Sequence, residues 1–153
     1  MNLELKIPPP VILFACGLLA WVVANGLATP LDIAGMASAV LSLFFSALGI
    51  GVAISAVLGF RRAKTTIDPL KPDATSTLVT SGIFRLSRNP MYVALLLVLT
   101  GWISFLGSVA AIAVLILFIV YISRFQIRPE ERVLNSKFGV AYTVYCSQVR
   151  RWI

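Results

Sequence analysis

The sequence contains no histidine, only two cysteines and few charged residues. Without histidine it lacks the commonest general base, the commonest metal ligand and any Ser-His or Cys-His nucleophile pair. Cys16 and Cys146 are far apart in sequence and have no CxxC or metal-binding spacing, so we interpret both as packing residues and expect no metal site. These absences exclude much of the common catalytic chemistry.

Charged residues make up 12% of the 153 residues, whereas 59% are hydrophobic. A soluble domain normally carries about a quarter charged residues, so the bilayer must be the main solvent of this chain. The net charge of +7 does not indicate nucleic-acid binding, because the basic residues flank apolar segments and no nucleic-acid motif accompanies them.

Three long runs carry no charged residue, namely 11–28, 33–60 and 89–123. As a single helix, the third run would reach about 50 Å, well beyond a hydrocarbon core of about 30 Å. We therefore divide it at its GWISFLGS segment into two short spans, 90–106 and 108–124. The sequence predicts an all-α integral membrane protein with about four transmembrane helices, forming one domain over residues 1–153.

Two polar segments hold nearly all of the charge. Prolines argue against one continuous helix in 61–89, which we predict to be an interfacial loop. The tail is amphipathic and predicts a helix over 129–152. Of the 13 basic residues, six lie in 61–88 and six in 124–151. The positive-inside rule then places both segments and both termini in the cytoplasm, and the basic, cysteine-poor composition suggests a prokaryotic cytoplasmic membrane.

Small residues recur at every fourth position of the second span, at Ala47, Gly51, Ser55 and Gly59. Such a stripe lets another helix approach closely, within one chain or between two. We prefer this interpretation to a substrate groove, and the oligomeric state stays open.

Two patterns at the polar end are candidates for a site. The sequence RNPMY at 88–92 puts an arginine and a tyrosine at the mouth of the third span, and RPEE at 128–131 supplies two carboxylates. Anchoring at the membrane edge would explain the first pattern. A helix N-terminus would explain the second, because Pro and Glu suit a first turn. The residues alone leave these alternatives open.

The same patterns carry a resemblance to a known family. The matching elements are Thr66, Pro69 and Pro72, then LVTSGIFR at 78–85, RNPMY at 88–92, EE at 130–131, Leu134, FG at 138–139, Tyr142 and Tyr145. With this spacing, residues 61–153 resemble the isoprenylcysteine carboxyl methyltransferase and phospholipid methyltransferase superfamily. The resemblance implies an intramembrane methyltransferase that uses S-adenosylmethionine and takes a lipid-like acceptor from the bilayer, without the soluble Rossmann-type fold.

The resemblance also implies roles for individual residues. It assigns cofactor binding to Arg88, Asn89, Pro90, Tyr92, Glu130 and Glu131. It places Arg88, Tyr92 and Glu130 at the reaction centre, and we add Arg128 as a cation for orienting an acceptor. Asn89 stands where the eukaryotic prenylcysteine enzymes have histidine.

Methyl transfer from a sulfonium mainly requires that two reactants be positioned, so neither a metal nor a histidine is needed. A carboxylate acceptor, with an ordinary pKa of about 3.5–4, is already ionised at neutral pH and needs no general base. It needs a cation, for which Arg88, Arg124 or Arg128 are available. An amine acceptor must lose a proton to a glutamate or tyrosine. The lack of histidine therefore favours a carboxylate, such as that of a prenylcysteine, or a thiol.

Other functions remain as alternatives. A membrane reductase of the sterol-reductase type shares an R-x-P-x-Y-like element and a tyrosine-rich tail, and would use NADPH. A non-catalytic scaffold would bind anionic lipid through its basic face and have no affinity for a cofactor. A transporter is less favoured, because the centres of the spans carry no charged residue to mark an ion path.

Overall fold

The computed structural model describes residues 4–27, 29–31, 35–65 and 75–153. Within these ranges the protein is helical and has no β-strand, which confirms the predicted all-α fold. The predicted interfacial loop is described only in part. Its residues Thr66, Pro69 and Pro72, which contribute to the family resemblance, lie outside the described residues.

Four apolar helices form the membrane part of the protein. They are α1 (Pro9–Gly26), α2 (Gly35–Arg62), α3 (Pro90–Leu106) and α4 (Ala113–Ile122). Helices α1 and α3 both begin with proline, which suits a first turn because the backbone N–H there has no intrahelical partner. Helices α1 and α2 are long and apolar enough to cross a membrane, and α3, with 17 residues, is a shorter apolar helix.

The helix that contains the fourth predicted span continues beyond residue 124. It runs without a break from Ala110 to Phe138, over 29 residues. It includes α4, a π-helical turn at Ser123–Ile127 and the polar helix α5 (Arg128–Phe138). The acidic pair therefore lies inside a continuing helix and not at a free helix N-terminus.

The tail also differs from the single helix predicted over 129–152. Helix α5 ends at Phe138, and a second helix, α6 (Val140–Gln148), follows. Gly139 separates them with a φ of 50°, a conformation that glycine adopts without steric cost. After α6 the chain is extended at Val149 and returns to the start of α3, where the Arg150 carbonyl accepts from the Arg88 N–H.

The outer faces of the long helices are apolar. Phe14 is 75% exposed, Met36 82% and Ile116 64%, which is typical of a surface solvated by lipid and costly in water. The interior is built mainly from α1, α3 and α4, where Ala20, Leu99 and others are buried. This distribution supports an integral membrane protein.

The two uncharged connections meet at one end of the bundle. The Leu31 N–H donates to the Gly107 carbonyl at 2.7 Å, and the Val109 N–H donates to the Thr29 carbonyl at 3.0 Å. At the opposite end, the Arg88 N–H donates to the Arg150 carbonyl at 3.0 Å. The structure thus brings both basic segments to the same end.

Close packing of α2 on α3 does not use the predicted stripe. Ala47, Gly51 and Ser55 are exposed, and the contact is made instead through Gly49 and Gly101. A Cβ atom on Gly49 would lie 2.8 Å from the Ala94 carbonyl oxygen, so only glycine permits this approach.

Replacing Gly101 by alanine is expected to destabilise the protein by about 1–3 kcal/mol. The new Cβ would lie 2.5 Å from Ser46 Oγ and 2.8 Å from the Ser42 carbonyl oxygen, which forces α2 and α3 apart. Gly51→Ala is the matched control, because a Cβ there meets no atom within 4 Å. Unfolding in mild detergent measures the difference in free energy of unfolding between the two variants. Equal values would contradict the close contact of α2 and α3 at Gly101.

Candidate active site

A cavity of about 460 Å³ opens at the basic end of the bundle, between the starts of α1 and α3, the end of α2, and helices α5 and α6. This volume is within the usual range for a small-molecule site, about 300–1,000 Å³. Its polar lining residues are Thr75, Thr77, Arg88, Asn89, Tyr92, Glu130, Glu131, Tyr142 and Tyr145. The side toward α1 and α2 is apolar and includes Pro8, Ala53 and Phe60.

The R-x-P-x-Y motif is held in place by the tail of the chain. The Asn89 side-chain amide donates to the Arg151 carbonyl at 2.9 Å, beside the Arg88–Arg150 backbone bond. Pro90 then starts α3, so that Tyr92 comes in its first turn and faces the cavity. Asn89 therefore acts as a backbone anchor in addition to lining the site.

The π-helical turn lies just before the acidic pair. One extra residue in a turn rotates all later side chains by about 100° around the axis, and such turns are frequent at functional sites. Gln126, within this turn, is fully buried and donates from its side chain to the Ile7 carbonyl at 2.7 Å. The same turn therefore sets the direction of the acidic pair and anchors the segment that leads into the cavity wall at Pro8.

Glu130 and Tyr92 form a contact across the cavity. The Tyr92 hydroxyl donates to Glu130 Oε2 at 3.1 Å and links α3 to α5. Tyr92 is almost fully buried. The Glu130 carboxylate is thus positioned by a neutral group and has no ion-pair partner among the described residues.

Glu131, in contrast, is held by two arginines. Its oxygens accept from Arg151 Nε at 3.0 Å and from Arg151 Nη2 at 2.6 Å, an arrangement in which both carboxylate oxygens are engaged. Arg88 Nη1 lies 3.3 Å from Glu131 Oε1, with only 13% and 17% of the two side chains exposed. Hydrogen bonding to the Glu131 carboxylate raises the pKa of Arg151. Glu131 is therefore mainly a structural counter-ion.

Arg88 retains an unused donor. Its Nη1 contacts Cys146 Sγ as well as Glu131. Its Nε is buried and has no hydrogen-bond partner among the described residues. A buried cationic donor without a partner is costly. Arg88 also lines the cavity, so its guanidinium is a candidate group for binding an anion there.

Two tyrosines of α6 complete the polar wall. Burial raises the pKa of Tyr145 to about 12, and its hydroxyl donates to the Phe84 carbonyl at 2.7 Å. Burial and the neighbouring Glu131 carboxylate also raise the pKa of Tyr142. Both phenols are protonated at neutral pH and act as hydrogen-bond donors, not as bases.

Comparison with known proteins identifies the family. A family model described as phospholipid methyltransferase matches residues 37–141. The chain belongs to the phospholipid methyltransferase family. An uncharacterized protein of Haemophilus influenzae (strain ATCC 51907 / DSM 11121 / KW20 / Rd) is 48% identical over 63 residues, which are 41% of this chain and 100% of that protein. No solved structure matches the chain.

Membership of the phospholipid methyltransferase family confirms the superfamily indicated by the sequence motifs. The matched segment contains most of α2 and all of α3, α4 and α5, and with them Arg88, Tyr92 and the acidic pair. Tyr142, Tyr145 and Arg151 lie just beyond it. The family assignment makes this chain a membrane methyltransferase.

The structure brings most of the predicted site residues together. Those that line the cavity are Arg88, Asn89, Pro90, Tyr92, Glu130 and Glu131. Arg128 is exposed and does not line the cavity. Arg124, the other cation considered for an acceptor, forms an ion pair with Glu4 at 3.1 Å.

Sequence reasoning missed Arg151 and the wall formed by Pro8–Pro10. Arg151 is a basic residue of the tail, like five others in 124–151, and no local pattern distinguishes it. The prolines suit the first turn of a helix, and nothing in the local sequence marks them as a cavity wall. Both contributions depend on contacts between distant parts of the chain.

Proposed function

We propose that this phospholipid methyltransferase family member transfers a methyl group from S-adenosylmethionine to the headgroup of a lipid-like acceptor at the cytoplasmic membrane face. The observation that carries the proposal is that Arg88 and Glu130 line one cavity, which is polar on one side and apolar on the other. This combination suits a charged headgroup attached to a hydrocarbon tail.

The cavity residues fit the charges of S-adenosylmethionine. The Arg88 guanidinium suits its carboxylate, and the Glu130 carboxylate suits its ammonium or ribose hydroxyls. The chemistry that this cofactor supplies is an electrophilic methyl group, whose transfer breaks a C–S bond and leaves the electron pair on sulfur. The protein residues bind and align the two reactants, and the apolar walls exclude water.

A carboxylate acceptor such as a prenylcysteine fits this site best. It arrives ionised and requires orientation by a cation but no proton transfer. Arg88 and Arg151 supply positive charge at the polar wall. Exposed basic residues at the same end, including Arg61 and Arg62, support a cytoplasmic position by the positive-inside rule.

An amine acceptor, such as the headgroup of phosphatidylethanolamine, is the second candidate. The observation in its favour is that Glu130 has no cationic partner among the described residues and accepts a hydrogen bond from Tyr92. A buried carboxylate without a counter-ion is suited to take a proton. The family description also names a phospholipid.

Calorimetry on the purified protein in mild detergent tests the cofactor. We expect saturable S-adenosylmethionine binding that weakens in Glu130→Ala and Arg88→Ala, and no NADPH binding. Arg85→Ala is the control, since Arg85 is an exposed arginine that does not line the cavity. A folded wild-type protein that binds only NADPH would indicate a reductase, and one that binds neither ligand would indicate a scaffold.

Transfer of labelled methyl groups then identifies the acceptor. N-acetyl-S-farnesylcysteine and dipalmitoyl phosphatidylethanolamine represent the carboxylate and the amine. We expect label on the first compound. Label only on the second would replace the carboxylate assignment by the amine assignment and would give Glu130 the role of base.

A further inference from the structure

A second cavity, of about 380 Å³, lies between α1 and α3 within the apolar part of the bundle. All of its lining residues are glycine or apolar side chains. Leu13, Gly17 and Trp21 form one wall, and Val98 and Trp102 form the other.

This second cavity continues the line of the first. On α1, Pro10 lines the first cavity and Leu13 and Gly17 line the second, with the three- and four-residue spacing of one helix face. On α3, Leu95 lines the first cavity and Val98 lines the second in the same way. Both helices begin at the polar end, so the second cavity lies beyond the first along the same faces of α1 and α3. We call the two together the α1–α3 groove.

Trp102 bridges the two walls of the α1–α3 groove part of the way along. Its indole N–H donates to the Gly17 carbonyl at 3.0 Å and bridges the two helices. Its ring also stacks on Phe105, with centroids 5.8 Å apart, which fixes its orientation. The ten residues from Tyr92 to Trp102 correspond to about 15 Å along α3.

We propose that this groove, the α1–α3 groove, holds the single hydrocarbon tail of the methyl acceptor, and that Trp102 sets the preferred tail length. The inference rests on the proposed function and adds where the acceptor binds and what limits it. Continuity with the candidate active site is what selects an acceptor tail over bulk lipid, because the headgroup then reaches Arg88 and Glu130.

Binding of the tail in this groove mainly aligns the headgroup of the acceptor for methyl transfer. A tail in the bilayer is already in apolar surroundings, so moving it into the groove adds close packing but little hydrophobic free energy. Holding the tail restricts the headgroup to the reacting position, which raises the rate of transfer. A block in the groove should therefore affect tailed acceptors and leave cofactor binding unchanged.

Gly17→Leu blocks the α1–α3 groove, because a Cβ on Gly17 already lies 3.8 Å from the Trp102 ring and a longer side chain must enter the groove. Gly51→Leu is the matched control on an exposed face of α2, where a Cβ meets no atom within 4 Å. Trp102→Phe is a milder second variant that removes the indole N–H and shortens the ring.

The probe is an N-acetyl-S-alkylcysteine whose tail ends in a photoactivatable diazirine, prepared in several tail lengths. We expect labelling on peptides that contain Leu13 or Val98. Labelling should fall about tenfold or more in Gly17→Leu, as overpacking of a filled site predicts, and stay unchanged in Gly51→Leu. Trp102→Phe should shift the best-labelled tail toward greater length. Calorimetric S-adenosylmethionine binding should be equal in all of these proteins and serves as the check on folding.

Several results would overturn the inference. These are labelling outside α1 and α3, equal labelling of Gly17→Leu and Gly51→Leu, an unchanged length preference in Trp102→Phe, or equal labelling by a probe with a neutral amide in place of the carboxylate. The last result would mean that bulk lipid fills the groove. Carboxylate-dependent labelling in the groove without S-adenosylmethionine binding would reject the proposed function and retain the tail site.

Discussion

Replacing Arg88 by methionine is expected to lower kcat/KM for methyl transfer by about a hundredfold or more, the usual effect of removing a pre-oriented charged donor from a reaction site. Methionine keeps much of the side-chain length and removes the charge. The loss follows because Arg88 is the buried cation whose Nε has no partner among the described residues. Transfer of labelled methyl groups to N-acetyl-S-farnesylcysteine measures it.

Arg85→Met controls for the loss of a positive charge at the same end of the protein. Arg85 is exposed on the short 3₁₀ helix Gly82–Arg85 and does not line the cavity. We expect nearly wild-type kcat/KM for this variant. Equal losses in the two variants would mean that Arg88 contributes only to the general potential of the surface, and its assignment to the site would be wrong.

Neutralising the two adjacent glutamates is expected to affect different properties, stability for Glu131 and cofactor binding for Glu130. Glu131→Gln should destabilise the protein by about 3 kcal/mol, the lower end of the range for breaking a buried ion pair, because Arg88 and Arg151 both lose their counter-ion. Glu130→Gln should leave stability nearly unchanged, because Glu130 accepts only a hydrogen bond from neutral Tyr92 in the described structure. It should instead weaken S-adenosylmethionine binding by about tenfold or more, as expected when a charged hydrogen-bond acceptor is lost.

Unfolding in detergent and calorimetric binding, performed on both variants, separate these effects. Each variant serves as the matched control for the other, since the substitutions are identical and one residue apart. If Glu130→Gln loses stability while Glu131→Gln loses only cofactor binding, the roles are reversed. A further check is Arg151→Lys, which keeps the charge but removes the two parallel hydrogen bonds to Glu131, and which should reproduce part of the instability.

The membrane-spanning segments were predictable from sequence because they depend on local composition. A run without charge must leave water, and the thickness of the bilayer limits its length, so α3 was predicted at 90–106 and is found at Pro90–Leu106. The break between α3 and α4 was also predictable, because one helix over both would be longer than the hydrocarbon core of the bilayer. The end of the last long helix did not follow, because α5 continues it through Pro129, a residue that favours the start of a new helix.

The candidate site was only partly predictable. The motif at 88–92 and the acidic pair indicated six residues that do line one cavity. Arg128 was expected to orient an acceptor as a nearby cation, but its side chain is exposed and does not line the cavity. A residue's position around a helix depends on the turns before it, and the π-helical turn at Ser123–Ile127 changes that position without any marker in the residue pattern.

By itself, the sequence determined that the protein is a helical membrane protein, where its first three apolar helices lie and which motifs approach each other, because apolar length and charge placement act locally. Only the tertiary structure decided which partners those motifs meet: Glu130 with Tyr92, Glu131 with Arg88 and Arg151, and Gly17 with Trp102. These pairings join residues far apart in the chain. They depend on the rotation and close approach of packed helices, which hydrophobic pattern alone does not specify.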